Sequence, residues 1–537
     1  MPVPLLNSAV SAWRRPPAWI AGLLVGLLLF AVGVGWALSS PQGSSPDDDF
    51  HLASIWCARG NSEGLCDLQG PGANPGERNA FVPQDVVRSP CFAMDATQSG
   101  ICEAELGSEP TPARVNDGVY PGAFYSAMHA FVGDSVARSV LAMRLANLLL
   151  ASLLVGAAIA LARPLARRAA VLGWLGTLVP LGLFVIPSTN PSSWAVAGVG
   201  TYWVFLLRWC RGPRGGVRDV GRWIAGVLAV VSAALAVAGR GDAAVYLAVA
   251  TAAVLLLSVP SWRALATWPM ALPAAVVVLA AVMFLRTGQS GALSGIGAGT
   301  GRVGWGLLRD NLLDLPTFFA GVWGLGWGLG WLDTPVSGGA AGLAVALAGV
   351  LAGLGLAAWW WRKGLAILLL LASLVAVPLW VLQRGGNVVG ENVQPRYLLP
   401  LVVVTAGVVL LAKDARGTSS WTLRTPVAIL VVLLFSVAQL LALRDQMRRY
   451  TTGIDAVGSD LSGAEWWWES PVPPPSTWLV LGGLAGVAFA VVAVAVARGA
   501  EREAADTVGP DAEPSAVEQG QQVAPVAAGE QPVPQDS

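Results

Sequence analysis

Apolar stretches near the length of a membrane-crossing helix recur along the whole chain, and they constrain its fold more than any other feature. A helix needs about 20 apolar residues to cross the hydrocarbon core of a bilayer. Charged residues make up only 12% of the sequence, so a soluble core is not needed to explain these stretches. The sequence predicts an all-α polytopic membrane protein with about twelve transmembrane helices. The spans fall at about residues 19–38, 140–162, 169–186, 192–209, 223–239, 243–259, 268–285, 340–360, 364–382, 398–412, 425–443 and 477–498.

The first span, from Trp19 to Leu38, sets the predicted orientation. It is too long for the core of a signal peptide, lacks a small-residue cleavage site and follows Arg14 and Arg15. We therefore expect a retained helix with a cytoplasmic N-terminus, because basic residues favour the cytoplasmic side. The predicted cytoplasmic turns then carry clusters of basic residues, namely Arg163, Arg167, Arg168, Arg208, Arg211, Arg214, Arg218, Arg222, Arg362, Lys363, Lys413, Arg416 and Arg424.

The outer side then receives every unusual polar motif. Its longest loop covers residues 39–139, and a Gly- and Trp-rich segment covers residues 286–339. Residues 305–330 are apolar, but a full span there would invert all later loops and place the basic turns outside. We predict a re-entrant or surface-lying helix for 305–330. The other outer loops fall near 187–191, 240–242, 383–397 and 444–476.

Four of the five cysteines lie in the first outer loop, and Cys210 lies alone beside cytoplasmic arginines. An oxidising outer compartment favours two disulfides, in one of three pairings. A four-thiolate zinc site is the alternative, although a close Cys-x-x-Cys pair is missing. The predicted disulfide cysteines are Cys57, Cys66, Cys91 and Cys102.

The chain divides into two predicted parts. Residues 1–498 form one polytopic domain, in which the cysteines could make the 39–139 loop a small stapled cap. Residues 499–537 are rich in Ala, Glu, Pro, Gln and Val and contain no aromatic residue. Such a segment buries too little apolar surface to fold alone, so we predict a disordered cytoplasmic tail.

The start of the first outer loop concentrates three carboxylates and one of the two histidines of the chain, in Pro46-Asp47-Asp48-Asp49-Phe50-His51. Such a cluster is unexpected in a chain with so few charged residues, and we predict that it carries the chemistry. The alternative is that the three acids cap a helix that begins near Phe50, where negative charge suits the helix dipole.

The stretch Pro46-Asp47-Asp48-x-x-His51 resembles the Pro-Asp-Glu-x-x-His signature of a bacterial membrane family known as domain of unknown function 2142, with Asp48 in place of Glu. Val393-Gln394-Pro395-Arg396-Tyr397-Leu398-Leu399-Pro400 resembles its Gln-Gly-Arg-Tyr-x-x-Pro motif, with Pro395 replacing Gly. Proline fixes a torsion that glycine leaves free, so the backbone at Arg396 could differ from the family pattern. Three further stretches agree in order and side, namely Met143 to Asn147, Pro187 to Pro191 and Leu329 to Pro335.

This resemblance implies a fold similar to type C glycosyltransferases, which use a polyprenyl-phosphate sugar as donor. A sugar on a lipid phosphate already has a good leaving group, so the enzyme needs a base for the acceptor hydroxyl and a cation for the departing phosphate. By its place in the motif, Asp47 is the expected base. Asp48 could bind an acceptor hydroxyl or a divalent cation such as Mg²⁺ or Mn²⁺, and no other cofactor is expected. His51 could orient either acid.

Arg396 is the expected phosphate ligand, since a guanidinium can grip a phosphate with two parallel hydrogen bonds. The alternative is an interfacial arginine that snorkels beside the aromatic Tyr397. Four more residues are candidates for contacting the substrate: Asn392, Gln394, Asn190 and Asp333. Asn190 and Asp333 also read as ordinary turn formers.

The sequence and the resemblance together predict a membrane hexosyl- or pentosyltransferase of the bacterial plasma membrane, with both termini cytoplasmic. It would move a sugar from a polyprenyl-phosphate donor to a cell-envelope glycan, by inverting displacement on the outer face. A flippase or exporter for a lipid-linked glycan is the alternative, although transporters place ionisable residues near the membrane midplane and show paired halves. A non-catalytic protein of envelope assembly is the third hypothesis. No nucleic-acid partner is expected.

Overall fold

The computed structural model describes ten stretches of the chain: 16–87, 91–105, 107–211, 219–286, 304–391, 393–413, 420–455, 461, 466–468 and 474–506. Fifteen α-helices of eight or more residues lie within them. In chain order these are α1 Ala18–Leu38, α2 Asp48–Trp56, α3 Gly122–His129, α4 Val136–Leu161, α5 Pro164–Thr177, α6 Ser192–Cys210, α7 Val220–Gly239, α8 Ala243–Ser258, α9 Ala271–Arg286, α10 Trp305–Ala320, α11 Gly338–Leu356, α12 Trp361–Gly385, α13 Leu399–Leu410, α14 Thr425–Thr451 and α15 Pro475–Asp506.

Within these described stretches, nine helical segments are long and apolar enough to cross a bilayer. They are α1, α4, α5 with its continuation to Val185, α7, α9 with the turn from Trp268, α11, α12, α14 and α15. The membrane character of the chain is therefore confirmed. The other three predicted spans coincide with α6, α8 and α13, but these do not meet the same criteria, so the count of twelve is not confirmed.

The basic turns collect at one end of the helix bundle. Arg167 pairs with Glu503 at 2.7 Å, and the Arg168 guanidinium lies 3.8 Å from the centre of the Trp421 ring. The Lys363 ammonium donates a 2.9 Å hydrogen bond to the Leu411 carbonyl. The turns predicted to be cytoplasmic therefore contact one another, and that this end faces the cytoplasm stays a prediction.

Helices α1 and α4 pack closely because small residues face each other along their contact. A Cβ atom at Gly22 would lie 2.3 Å from the Gly156 carbonyl oxygen, and one at Gly26 would lie 2.9 Å from the Ser152 carbonyl oxygen. Small residues allow this backbone approach between helices in a membrane. The contact matters for the site because α1 leads directly into the acidic loop, and α4 carries the arginine that holds that loop.

The first outer loop contains a three-stranded antiparallel sheet of β1 Asp67–Pro71, β2 Glu77–Pro83 and β3 Pro110–Asn116, in the order β1-β2-β3. The prediction of an all-α chain is therefore wrong for this loop. Ala80 and Val82 of β2 are buried, whereas Phe81 between them is exposed, which is the alternation of a half-buried strand. Only a few residues carry this pattern, and prolines and glycines flank them.

Two disulfides staple the same loop, as predicted. They join Cys57 to Cys66 and Cys91 to Cys102, which selects one of the three pairings and excludes a four-thiolate zinc site at these residues. The first disulfide closes the chain just after α2, and buried residues of α2 pack against the sheet. The loop is thus a small folded cap on the bundle.

Two predicted segments differ in extent from the structure. Helix α10 occupies residues 305–320, and a tight turn follows in which Leu329 and Thr334 pair across an isolated bridge. Whether α10 re-enters the membrane or lies on its surface stays a prediction. Helix α15 ends at Asp506, beyond the predicted boundary at residue 498, and the predicted tail from 507 to 537 lies outside the described residues.

Candidate functional site

Asp47 lies immediately before α2 in a left-handed backbone conformation, with φ 59° and ψ 25°. This conformation costs a non-glycine residue about 1–2 kcal/mol, and it persists where the surroundings fix it. The Asp47 side chain makes no capping hydrogen bond, although its carbonyl accepts the His51 N–H at 2.8 Å. The geometry thus argues against a capping role for this carboxylate.

The Asp47 carboxylate instead pairs with Arg396. Arg396 Nη2 donates to Asp47 Oδ2 at 2.5 Å, across a sequence separation of 349 residues. The Arg396 side chain is 2% exposed and that of Asp47 is 44% exposed, so the pair has a buried cation and an accessible anion. The first outer loop and the 3₁₀ turn Pro395–Tyr397 before α13 therefore meet at one point.

Two neighbours in the same motif hold the Arg396 guanidinium. Gln394 Oε1 accepts a hydrogen bond from Nη1, and the Tyr397 hydroxyl accepts one from Nη2 at 3.1 Å. The buried Nε of Arg396 has no hydrogen-bond partner among the described residues. The guanidinium thus retains its Nε–H for a further acceptor, and the predicted substrate residues Gln394 and Tyr397 both contact the Arg396 cation.

Opposing effects set the ionisation of Asp47. Burial is the largest effect and raises its pKa, but the charge of Arg396, followed by His51 and Arg240, more than offsets it and leaves the pKa below the ordinary value. Asp47 is therefore ionised at neutral pH.

Asp48 points away from Asp47 into the protein and is fully buried. Its Oδ1 accepts a 2.6 Å hydrogen bond from the Thr189 hydroxyl, and its Oδ2 accepts one from the Ser45 N–H at 3.0 Å. Burial raises the pKa of Asp48 to about 6, although Arg144 and these hydrogen bonds lower it. Asp48 thus connects the acidic turn to the Pro187–Pro191 turn.

His51 is buried between aromatic rings. Its Nδ1 pairs with the Tyr125 hydroxyl at 2.9 Å, and its ring meets the Tyr120 ring edge-on at 5.3 Å. Burial lowers the pKa of His51 to about 3, with Asp47 raising it and Arg396 and Arg240 lowering it further. His51 is therefore neutral and forms part of the wall behind Asp47.

A buried arginine on α4 fixes the chain that leads to Asp47. Arg144 donates to the carbonyls of Ala37, Ser40 and Pro41 at 2.9, 2.7 and 2.6 Å, and also to the Ser44 hydroxyl. The sequence analysis included Arg144 only within the stretch from Met143 to Asn147. Its charge within an apolar span could have identified it, because such residues are usually functional or structural.

Asn190 and Asn147 fix the same turn from its other side. Asn190 Nδ2 donates to the Pro46 carbonyl at 2.9 Å, so this candidate holds the backbone next to Asp47. Asn147 Nδ2 donates to the Ser188 carbonyl, and its Oδ1 accepts from the Trp194 indole. The stretches Met143–Asn147 and Pro187–Pro191 thus position the acidic turn.

Arg240 is a second arginine beside Asp47, from the α7–α8 turn. It binds both carboxylate oxygens of Asp242, and its guanidinium lies 4.3 Å from the centre of the Tyr397 ring. The sequence placed Arg240 in a predicted outer loop near residues 240–242, and no role was assigned to it. The available signal was a basic residue on the predicted outer side, which runs against the positive-inside trend.

A small cleft flanks Arg396. Its polar lining comes from Gln394 and Arg396, next to Pro46. The remaining wall is mostly apolar and includes Leu181, Phe184, Trp327, Leu329 and Leu332. An apolar cleft that ends at a cation suits a molecule with an anionic group on a hydrocarbon chain.

One predicted substrate residue, Asp333, lies outside this cluster. Asp333 Oδ2 accepts from Arg449 Nη2 at 2.8 Å and from the Met94 N–H at 3.0 Å, so Asp333 fastens the disulfide-stapled loop to α14. Asn392 lies outside the described residues.

Asp48 does not suit the divalent cation considered for it. Both of its oxygens already accept hydrogen bonds, and the described part of the chain has no group of three or more His, Cys, Asp or Glu side chains able to hold a metal ion. Oxygen-rich coordination by several ligands is what Mg²⁺ requires, and we derive no step through a metal.

Comparison with known proteins identifies the family but not the activity. No curated protein and no solved structure matches the chain. The sequence profile of a family described as predicted membrane protein (DUF2142) matches residues 30–405, a region that contains both Asp47 and Arg396. This match extends over more than half of the chain, and the protein therefore belongs to the DUF2142 family of predicted membrane proteins.

Proposed function

We propose that the protein is an inverting glycosyltransferase that moves a sugar from a polyprenyl phosphate to a hydroxyl group of a cell-envelope glycan. The observation that carries this proposal is the contact between an accessible carboxylate, Asp47, and a buried guanidinium, Arg396. A base and a phosphate-binding cation are the two groups that this reaction needs, and here they lie side by side.

In the proposed step, Asp47 Oδ accepts the proton of the acceptor hydroxyl. The hydroxyl oxygen forms a bond to the anomeric carbon of the donor sugar as the bond from that carbon to the phosphate oxygen breaks. The electron pair of the broken bond leaves on the lipid phosphate, whose negative charge Arg396 stabilises. A single displacement of this kind inverts the configuration of the anomeric carbon.

The ion pair has a consequence for donor binding. The guanidinium already contacts Asp47, Gln394 and Tyr397, and its Nε–H has no partner among the described residues. A phosphate that binds Arg396 competes with Asp47 for positive charge, so donor binding raises the proton affinity of Asp47. Asp47 therefore becomes a stronger base when the donor is present.

The cleft beside Arg396 supports a lipid-linked donor over a soluble nucleotide sugar. Its apolar wall suits the first isoprene units, and Arg396 at its end suits the phosphate. The sugar would then extend from the phosphate towards Asp47, whose side chain is the accessible member of the ion pair.

The test is a transfer assay with purified protein, synthetic polyprenyl-phosphate sugars and an envelope-glycan acceptor, with release of free lipid phosphate as the readout. We expect donor-dependent transfer with inversion at the anomeric carbon. Arg396→Lys keeps the charge but loses the planar donor fork, so it should weaken donor use more than folding. Retention of configuration, or movement of lipid-linked glycan across vesicles without transfer, would reject the proposal.

A further inference from the structure

The turn between α7 and α8 brings a second buried arginine, Arg240, to the site, and hydrogen bonds hold its guanidinium in place. Arg240 Nε and Nη2 bind the two carboxylate oxygens of Asp242 at 2.9 and 2.7 Å, and Nη1 lies 3.3 Å from the Ser192 hydroxyl. All three guanidinium nitrogens thus have partners. Arg240 is therefore poorly suited to bind a substrate directly, in contrast to Arg396 with its free Nε.

What Arg240 contacts instead is the aromatic ring of Tyr397. Its guanidinium carbon lies 4.3 Å from the ring centre, and that of Arg396 lies 4.9 Å from the same centre. A cation within about 6 Å of an aromatic centroid is attracted to the ring. Two arginines thus share one tyrosine, whose hydroxyl in turn accepts a hydrogen bond from Arg396.

Arg240 also acts on Asp47 through its charge. The charged and titratable groups that influence Asp47, or that Asp47 influences, come from four parts of the fold. They are Arg396 from the turn before α13, Arg240 from the α7–α8 turn, His51 and Asp49 from α2, and Tyr120 and Tyr125 from the segment just before α3 and from α3 itself. His51 is neutral and both tyrosines are protonated at neutral pH, since burial raises their pKa values. Arg240 and Arg396 are therefore the two cations that keep Asp47 ionised.

We propose that Arg240 is a positioning residue of this site: held by Asp242, it fixes the Tyr397 ring beside Arg396 and places a second positive charge near Asp47. It touches neither sugar nor phosphate, and it acts through Tyr397 and Asp47. This proposal rests on the glycosyltransferase proposal where it predicts a change in transfer rate. Its prediction for the protonation of Asp47 does not depend on that activity.

The first experiment therefore does not require activity. A water-soluble carbodiimide activates protonated carboxyl groups, so labelling of Asp47 with an amine, located by tandem mass spectrometry, follows its protonation between pH 3 and pH 8. We expect Arg240→Gln to move the labelling midpoint of Asp47 upward by about one pH unit, because an opposite charge nearby lowers a carboxyl pKa by about 1–3 units. An unchanged midpoint in the folded variant would overturn the proposal.

Arg208→Gln is the matched control, because Arg208 also binds both oxygens of one carboxylate, Asp219, but at the opposite end of the bundle. It should leave the Asp47 midpoint unchanged, and an equal shift in this variant would overturn the proposal. Arg240→Lys should move the Asp47 midpoint less than Arg240→Gln does, since lysine keeps the charge but loses the planar stack on Tyr397.

The second experiment uses the transfer assay. Arg240→Gln should lower kcat about tenfold and move the acidic limb of the pH–rate profile in the same direction as the labelling midpoint. A lower kcat with an unmoved pH profile would assign Arg240 to folding alone. If the wild-type protein transfers no sugar, the glycosyltransferase proposal fails, and the labelling experiment still decides the role of Arg240.

Discussion

At the scale of single residues, the geometry separates three neighbouring acids that the sequence leaves equivalent. Asp47 faces an arginine, Asp48 is buried against Thr189 and Ser45, and Asp49 pairs with Arg114, whose side chain is half exposed. The sequence predicted a functional role for Asp47 and for Arg396, and the structure places the two side chains in contact. The sequence could not show that they touch, because their contact depends on how the first loop and α13 are placed by the whole bundle.

Asp47→Asn should slow sugar transfer by roughly a hundredfold or more, because an amide cannot accept the acceptor proton. Its thermal unfolding midpoint in detergent should fall only modestly, because the amide oxygen can still accept the hydrogen bond from the buried Arg396 guanidinium. Asp49→Asn is the control and should retain most of the transfer rate. Near-normal transfer by Asp47→Asn would place the base elsewhere.

Asp48 should make stability depend on pH. Because burial raises its folded pKa to about 6 from an ordinary value of 3.8, the folded state keeps a proton that the unfolded state loses between these values. The free energy of unfolding should therefore fall as pH rises from about 4 to about 6, by on the order of 3 kcal/mol. Asp48→Asn removes this titration. The difference in unfolding free energy between the wild type and the variant, taken from thermal unfolding scans at each pH, therefore isolates the contribution of Asp48. A difference that is constant with pH would contradict the assignment.

At the scale of elements, Arg144 of α4 shows how one side chain shapes a loop. The chain between α1 and α2 leaves several carbonyl groups inside the protein, and one guanidinium donates hydrogen bonds to three of them. The helices themselves were predictable, because span length and hydrophobicity are properties of contiguous residues. The outer sheet was not, since its strands are short and interrupted by proline and glycine.

Arg144→Met should destabilise the fold by about 3 kcal/mol or more, because it leaves buried carbonyls without donors. The measurement is the thermal unfolding midpoint, together with carbodiimide labelling of Asp48, which should become accessible as the turn loosens. Arg138→Met on the same helix is the control, because Arg138 is exposed and its loss should change stability by no more than about 0.5 kcal/mol. Equal effects of both changes would remove the special role of Arg144.

At the scale of the whole molecule, the outer polar features meet at one end of the bundle and the basic turns meet at the other. The contacts show which motifs share an end of the bundle. The orientation of these ends was predicted from the distribution of arginine and lysine and stays a prediction. The only signal for Arg240 in the sequence was its basic charge on the predicted outer side, because its contact with Tyr397 depends on how distant turns pack together.

Cysteine chemistry tests this orientation and the pairing together. The denatured, unreduced protein should expose one thiol per chain, that of Cys210, and five after reduction, because the other four cysteines form the two disulfides. In a Cys210→Ser background, an impermeant maleimide applied to intact cells should label Glu63→Cys in the loop but not Arg502→Cys in α15. Labelling of the second position alone would reverse the orientation.

The separation of 349 residues between Asp47 and Arg396 also has a meaning in time. A ribosome adds about 5–20 residues per second, so roughly 20–70 s pass between the emergence of the carboxylate and that of its guanidinium partner. During this interval the nascent chain carries an acid without its counter-ion at the membrane surface. A polypeptide that stops before residue 396 lacks Arg396, so premature termination yields a product without this ion pair even when most of the helices have been inserted.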